Sequence, residues 1–240
     1  MSFLKAEWRN LILANYIIDP TILTSYIPKG TELDFLEEKC YISLVGFMFK
    51  NTRLLGVKIP FHVNFEEVNL RFYVKRKDGD SWKRGVVFIK ELVPKWALSF
   101  VANTIYKEHY QTVPMKHKWI HSENNLEISY GWQMKNSWHQ IQVNAEVKSS
   151  KIEKGSETEF ITEHYWGYAK INDHLTNEYE VTHPKWKQNE VKDYYINVDF
   201  KKVYGKNFAF LNQLEPRSVL LASGSEITVE RRKKIKTKDF

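Results

Sequence analysis

The sequence predicts a mostly β protein, a large antiparallel sheet system with about three short helices. Three observations carry this. Aromatic residues make up 15% of the 240-residue chain, with 14 Phe, 13 Tyr and 8 Trp, and aromatic and β-branched residues suit a pleated, half-buried surface. About a dozen short runs read as strands bounded by turn residues. Helix punctuation, by contrast, occurs only about three times.

In chain order, "AEWRNLILANYII" is apolar and strand-like. "DPTILTSYIPKG" carries helix signals, with Asp19 as N-cap, Pro20 at the first helical position, and Pro28 and Gly30 as the stop. "KCYISLVGFMF" reads as a buried strand. "FEEVNLRFYVKR" and "SWKRGVVFIKEL" flank "KDGD", and Asp-Gly between alternating runs predicts a hairpin. In "VPKWALSFVANTIYKEHY", Leu98, Val101, Ala102 and Ile105 recur at helical spacing after Pro94. Strands resume at "LEISYGWQM" and "WHQIQVNAEV". Ser156 with Glu159 three residues on is a capping box, so a short helix begins there. "HYWGYAKI", "EYEVTH", "YYINVDF" and "SVLLASGSEITVE" are further strands. No linker divides the chain, so residues 1–230 read as one domain.

Composition narrows the function classes. Apolar residues reach 42%, enough for a sizeable core, and the single cysteine, Cys40, forms no intrachain disulfide. Its apolar context makes it a buried small group rather than a nucleophile. The start lacks a signal peptide's apolar core, and "LILANYII" is far shorter than a membrane span. A cytoplasmic setting is expected. The net charge of +7 is local: residues 231–240 carry +5 and leave the body only +2. Such a body is no footprint for specific nucleic-acid binding, and the basic tail is expected to be disordered.

No chemistry-bearing motif is unambiguous. The eight histidines are scattered, and His117 and His121 lack a carboxylate in a zinc-protease arrangement, so they read as surface or loop residues and no metal is expected. No cofactor is implied. Lys95 follows Pro94 at a helix start, where the dipole and neighbouring Val93 and Trp96 would favour its neutral form and hence a Schiff base; the alternative is a lysine reaching solvent. In "FEEVNLRFYV", Glu67, Asn69 and Arg71 share one face, while Val68, Leu70, Phe72 and Val74 make the other apolar. The polar face is either solvated or the wall of an internal cavity.

"EWRNLILANYIIDPTILTSYIPKGTELD", "KCYISLVGFMF", "FEEVNLRFYV", "GVVFIKELVPKWALSFVANTIY" and "TEHYWGY…EVTHPKW" together resemble the YqjF-like family, a bacterial domain of unknown function, in order and over nearly the whole chain. That family is similar to the acetoacetate decarboxylase superfamily, a cone or barrel of antiparallel strands around a central cavity. The resemblance turns Glu67, Asn69 and Arg71 inward. The decarboxylases carry Glu-Leu and then Pro-Lys-Lys, the first lysine forming the Schiff base and the second lowering its pKa. Here Glu91-Leu92 precedes Pro94-Lys95-Trp96, so Lys95 matches the first lysine and Trp96 replaces the second. Ser43 stands nearest the position of the family's active-site glutamate. The resemblance therefore implies fold and cavity, but not decarboxylation.

The expected function is binding of a small anionic organic molecule. Arg71 would take its charge, Glu67, Asn69 and Glu91 would orient it, and Glu163 and Tyr165 would line the same space. One alternative is a lyase or hydrolase using Lys95 covalently. Another is a weak nucleic-acid or membrane-surface binder acting through the tail. No specific nucleic acid and no membrane is expected as partner, and a homo-oligomer is compatible with the sequence. Without a ligand, Arg71 would have to pair with Glu67 or Glu91 in a self-satisfied network.

Overall fold

The computed structural model describes residues 2–95 and 109–236. Fourteen strands join in one sheet. They are β1 Leu4–Ile18, β2 Glu32–Leu33, β3 Cys40–Leu54, β4 Phe65–Asp78, β5 Ser81–Val93, β6 Tyr110–Thr112, β7 Met115–His121, β8 Leu126–Met134, β9 Ser137–Lys151, β10 Trp166–Asn172, β11 Leu175–Thr182, β12 Lys187–Asn197, β13 Ser218–Val229 and β14 Lys233–Lys236. The expected strands all appear, and β4 and β5 form the hairpin, with Gly79 at φ 61° in its turn. Nearly all pairings are antiparallel; β10 and β6 run parallel to β5.

Among the described residues, helices are few and short. Pro20–Tyr26 forms a 3-10 helix whose Asp19 cap accepts from the Thr21 amide. Helix α1, Glu157–Thr162, starts at Ser156, whose hydroxyl accepts from the Glu159 amide. Glu159 reaches back to the Gly155 amide (2.7 Å), one residue short of the reciprocal bond a capping box makes. Helix α2, Phe200–Tyr204, and a 3-10 helix over Lys206–Gln213 had no counterpart in the sequence reading. The helix expected in "VPKWALSFVANTIYKEHY" lies outside the described residues.

The sheet order β11-β10-β5-β4-β3-β1-β13 returns on itself, because β13 also pairs with β11. That last pairing covers only Val181↔Val229 and Thr182↔Thr228. The seven strands therefore make a cone-like ring joined along one rim, not a fully closed barrel. From β13 the sheet continues as β12-β9-β8-β7 and covers the ring's outer face.

Two apolar clusters follow from this arrangement. The even face of β4 (Val68, Leu70, Phe72, Val74) packs outward with Ile128, Tyr130, Ile141 and Val143 of β8 and β9. Inside the ring, Tyr41, Val45 and Tyr73 pack against Phe160 and Ile161 of α1. The helix fills that end of the interior. At the opposite end, the inward face from Arg71 to Phe65 lines a cavity.

The basic terminus corrects an expectation. Residues 233–236 are not a disordered tail but strand β14, paired with β11 from Leu175↔Lys236 to Glu178↔Lys233. The edge of β11 offers unpaired backbone groups there. Ile235 packs against the outer core, and Arg232 Nη1 donates to Asn177 Oδ1 (3.0 Å).

Candidate functional site

A cavity of about 170 Å³ occupies the end of the ring opposite α1. The inward face of β4 forms one wall, with Phe65, Glu67, Asn69 and Arg71 in order toward the α1 end, where Tyr73 packs on Phe160. The polar series of "FEEVNLRFYV" is therefore cavity wall. Glu67, Asn69, Arg71 and Glu91 are only 2%, 1%, 7% and 2% exposed.

A bulge delivers Glu91. Arg71 faces Phe88 but Leu70 faces Lys90, so Ile89 is extra in β5. Up to the bulge, even positions Val86 and Phe88 face the cavity; after it, Glu91 does. Glu91 thus lies directly across the ladder from Asn69. Without the extra residue, Lys90 would take that place.

The polar groups have distinct environments. Asn69 Nδ2 donates to Glu67 Oε1 (2.9 Å), and the Tyr110 hydroxyl donates to Glu67 Oε2 (3.2 Å). Burial pushes the Glu67 carboxyl up to about 7, against the opposing pull of Asn69, Tyr110 and Arg71. Burial also drives the Tyr110 phenol well above its usual range. Arg71 is different. No hydrogen bond or ion pair reaches its guanidinium from any described residue, and its Nε is fully buried. Its Cζ lies 5.9 Å from the centroid of the Tyr73 ring. The expected pairing of Arg71 with Glu67 or Glu91 does not form: Glu67 lies four residues from Arg71 on β4, about 13 Å along the strand, and bonds to Asn69 and Tyr110 instead.

Three histidines that the sequence reading left as surface or loop residues, His62, His164 and His183, line the cavity. His164 is buried, and its Nε2 donates to Asp34 Oδ2 (3.1 Å), which also accepts from Arg84 Nε (2.6 Å). Desolvation pushes His164 down to about 4, so it is neutral at pH 7. Burial would raise Asp34, but the bonds from His164 and Arg84 outweigh it and hold the carboxyl below its usual range. His183 stacks on Trp186 with ring centroids 4.2 Å apart, and the Tyr165 ring lies 4.7 Å from it. Burial lowers its pKa as well. His117 and His121 do lie on an exposed strand, β7.

Glu163 and Tyr165 are placed differently from the expectation. They bond to each other, Tyr165 Oη to Glu163 Oε2 at 2.6 Å, and neither lines the cavity. The chain alternates there, so His164 between them faces inward instead. "TEHYWGY" and "VTHPKW" were the signals for His164 and His183, each a histidine amid aromatic residues. Lys95 stands two residues beyond β5, half-buried and not among the lining residues. Ser43 is buried near the α1 end, bonded to Asn15 Oδ1 (2.6 Å) and the Tyr73 hydroxyl (2.7 Å).

Most of the remaining wall is apolar, with Trp8, Phe47, Phe49, Phe88, Val181 and Trp186 among its residues, while Thr52 and Thr162 add hydroxyls. Among the described residues no cluster of three or more His, Cys, Asp or Glu could hold a metal ion. No helix of the described residues is long and apolar enough to cross a membrane.

The sequence from 5 to 226 matches the family of an uncharacterized conserved protein, DUF2071. The chain belongs to the DUF2071 family. It is 27% identical to the uncharacterized protein YqjF of Bacillus subtilis (strain 168) over 199 residues, 81% of this chain and 78% of YqjF. Its fold is that of the acetoacetate decarboxylases. The enzyme of Legionella pneumophila superposes with a TM-score of 0.64, at 12% identity, over 97% of this chain and 86% of that one. An acetoacetate decarboxylase-like enzyme of Sphingomonas wittichii RW1 gives 0.67, at 9% identity, over 99% and 95%. At these identities, what this DUF2071 chain shares with the solved structures is the fold.

Proposed function

We propose that this protein binds a small organic anion in the ring cavity, its charged group on Arg71 and its apolar part toward Phe49 and Phe65. One observation carries this reading: a guanidinium 7% exposed, lining the cavity, with no anion beside it among the described residues. A buried charge left alone is costly, and natural interiors pair such groups. A carboxylate would supply the missing partner bidentately. The order of lining residues supports the orientation, since Arg71 lies at the α1 end of the β4 wall and the paired Phe49 and Phe65 at its other end. A cavity of about 150 Å³ accommodates benzene, so this one suits a ligand of roughly six to ten non-hydrogen atoms. A cytoplasmic metabolite of that class is the natural candidate. Lys95 gains no support as a covalent catalyst from its position.

The test compares 4-methylpentanoate with its neutral amide, 4-methylpentanamide, by calorimetric titration and thermal shift. The carboxylate should bind and raise Tm, and the amide should do neither. Arg71→Leu should abolish the response. The same substitution should leave the unliganded protein equally or more stable, because it removes an unpaired buried charge. Equal binding of acid and amide, or full binding by Arg71→Leu, would refute the reading.

A further inference from the structure

His164 lines the cavity and is bonded through one nitrogen only. Its Nε2 meets Asp34 Oδ2, the oxygen that also accepts from Arg84 Nε. The Asp34 carboxyl is held below its usual range, so it is ionised at pH 7 and only accepts. Nε2 must therefore carry the proton of a neutral ring, which leaves Nδ1 a bare acceptor. Nδ1 is buried and has no hydrogen-bond partner among the described residues, and a buried acceptor without a donor is costly. Arg71 is near. The Tyr73 ring lies 4.7 Å from the His164 ring and 5.9 Å from Arg71 Cζ, centroid distances that put both groups beside one tyrosine. The cavity thus holds an unmet donor and an unmet acceptor as neighbours.

Resting on the anion-binding reading, we propose that the ligand is a hydroxy acid: its carboxylate meets Arg71, and a hydroxyl near that carboxylate donates to His164 Nδ1. A carbonyl in the same place has no proton to give and would set one lone pair against another. An ammonium has donors but brings a further positive charge toward Arg71 and Arg84, both of which already act against a proton on His164. A hydroxyl donates without charge. The shared tyrosine keeps guanidinium and imidazole within reach of one small molecule, with a hydrogen bond of about 2.8–3.0 Å at each end. That places the hydroxyl on the first or second carbon from the carboxylate. Asp34 is a positioning residue here, since its bond to Nε2 fixes which nitrogen faces the ligand without a proton.

Four probes of matched shape separate the possibilities: 4-methylpentanoate, its 2-hydroxy and 3-hydroxy derivatives as single enantiomers, and 4-methyl-2-oxopentanoate. Titration calorimetry at pH 7 should show one of the hydroxy acids binding about tenfold tighter than 4-methylpentanoate, and the oxo acid no tighter. His164→Phe keeps a ring against Tyr73 but removes both nitrogens, and should bring the ratio of hydroxy acid to plain acid down to about one. A merely structural His164 would lower both affinities and keep the ratio. Nitrogen NMR of the unsubstituted protein serves if that variant fails to fold. His164 should show the Nε2–H tautomer, and its Nδ1 resonance should move with the hydroxy acid but not with 4-methylpentanoate. An Nδ1–H tautomer, or equal binding of hydroxy and plain acids, would overturn the hydroxyl contact while leaving the anion reading intact. Failure of all four probes to bind would overturn both.

Discussion

Glu67 shows how burial converts an ordinary side chain into a pH-dependent one. Its carboxyl titrates near 7 in the fold, against an ordinary value of 4.5. The native state therefore holds a proton that the unfolded chain has released between these values. Glu67's contribution to stability is fully present below about pH 4.5 and is lost as pH rises through about 7. His164 acts in the opposite sense: its folded pKa near 4 lies below the ordinary 6.5, so its contribution is present above 6.5 and lost on acidification toward 4. Glu67→Gln isolates the first effect. Relative to the parent, that variant should gain on the order of 2 kcal/mol between pH 5 and pH 8, read from urea unfolding at both values. A constant difference between the two proteins would mean that Glu67 is ionised throughout the range.

At the scale of elements, the site depends on local departures from regular strand geometry. The bulge at Ile89 re-aims β5 so that Glu91, not Lys90, enters the cavity. Gly167 on β10 makes a second accommodation. A Cβ there would lie 2.1 Å from Tyr179 Cζ, so the tyrosine ring occupies the space a side chain would need. Tyr179 is itself part of the cavity wall. Gly167→Ala should cost about 1–3 kcal/mol through overpacking and weaken binding of the preferred probe by displacing Tyr179. Tyr179→Leu in the same chain should recover most of the lost stability. A double-mutant cycle by thermal unfolding measures this coupling; additive losses would show that the glycine serves another purpose.

For the molecule as a whole, the ring and its outer sheet bury β4 on both faces, which lets one strand serve core and cavity at once. The C-terminal strand β14 extends the sheet from β11. Ending the chain at Glu230 removes the β11–β14 ladder, the Arg232–Asn177 bond and the packing of Ile235. That truncation should lower stability by about 1–2 kcal/mol, where a frayed tail would cost nothing. It also removes five of the seven net positive charges, so residual non-specific DNA binding should fall with it. Tm and a DNA retention assay on the same truncated protein read both effects, and an unchanged Tm would return the tail to the frayed class.

The sequence alone determined ten of the fourteen described strands, the hairpin at Asp78-Gly79, the caps at Asp19 and Ser156, and the shared face of Glu67, Asn69 and Arg71. These are matters of period, turn chemistry and local hydrogen bonding, which a dozen residues contain. The resemblance of whole stretches carried the cone-like fold. Only the tertiary structure decided that Arg71 has no hydrogen-bond partner among the described residues, that His164 rather than Glu163 or Tyr165 faces the cavity, and that residues 233–236 form a strand. Such outcomes depend on contacts between distant positions: a bulge opposite Leu70, Asp34 meeting His164, the open edge of β11. Alternation assigns two faces to a strand but does not say which is inside, nor whether a buried charge finds its counterion across the ring.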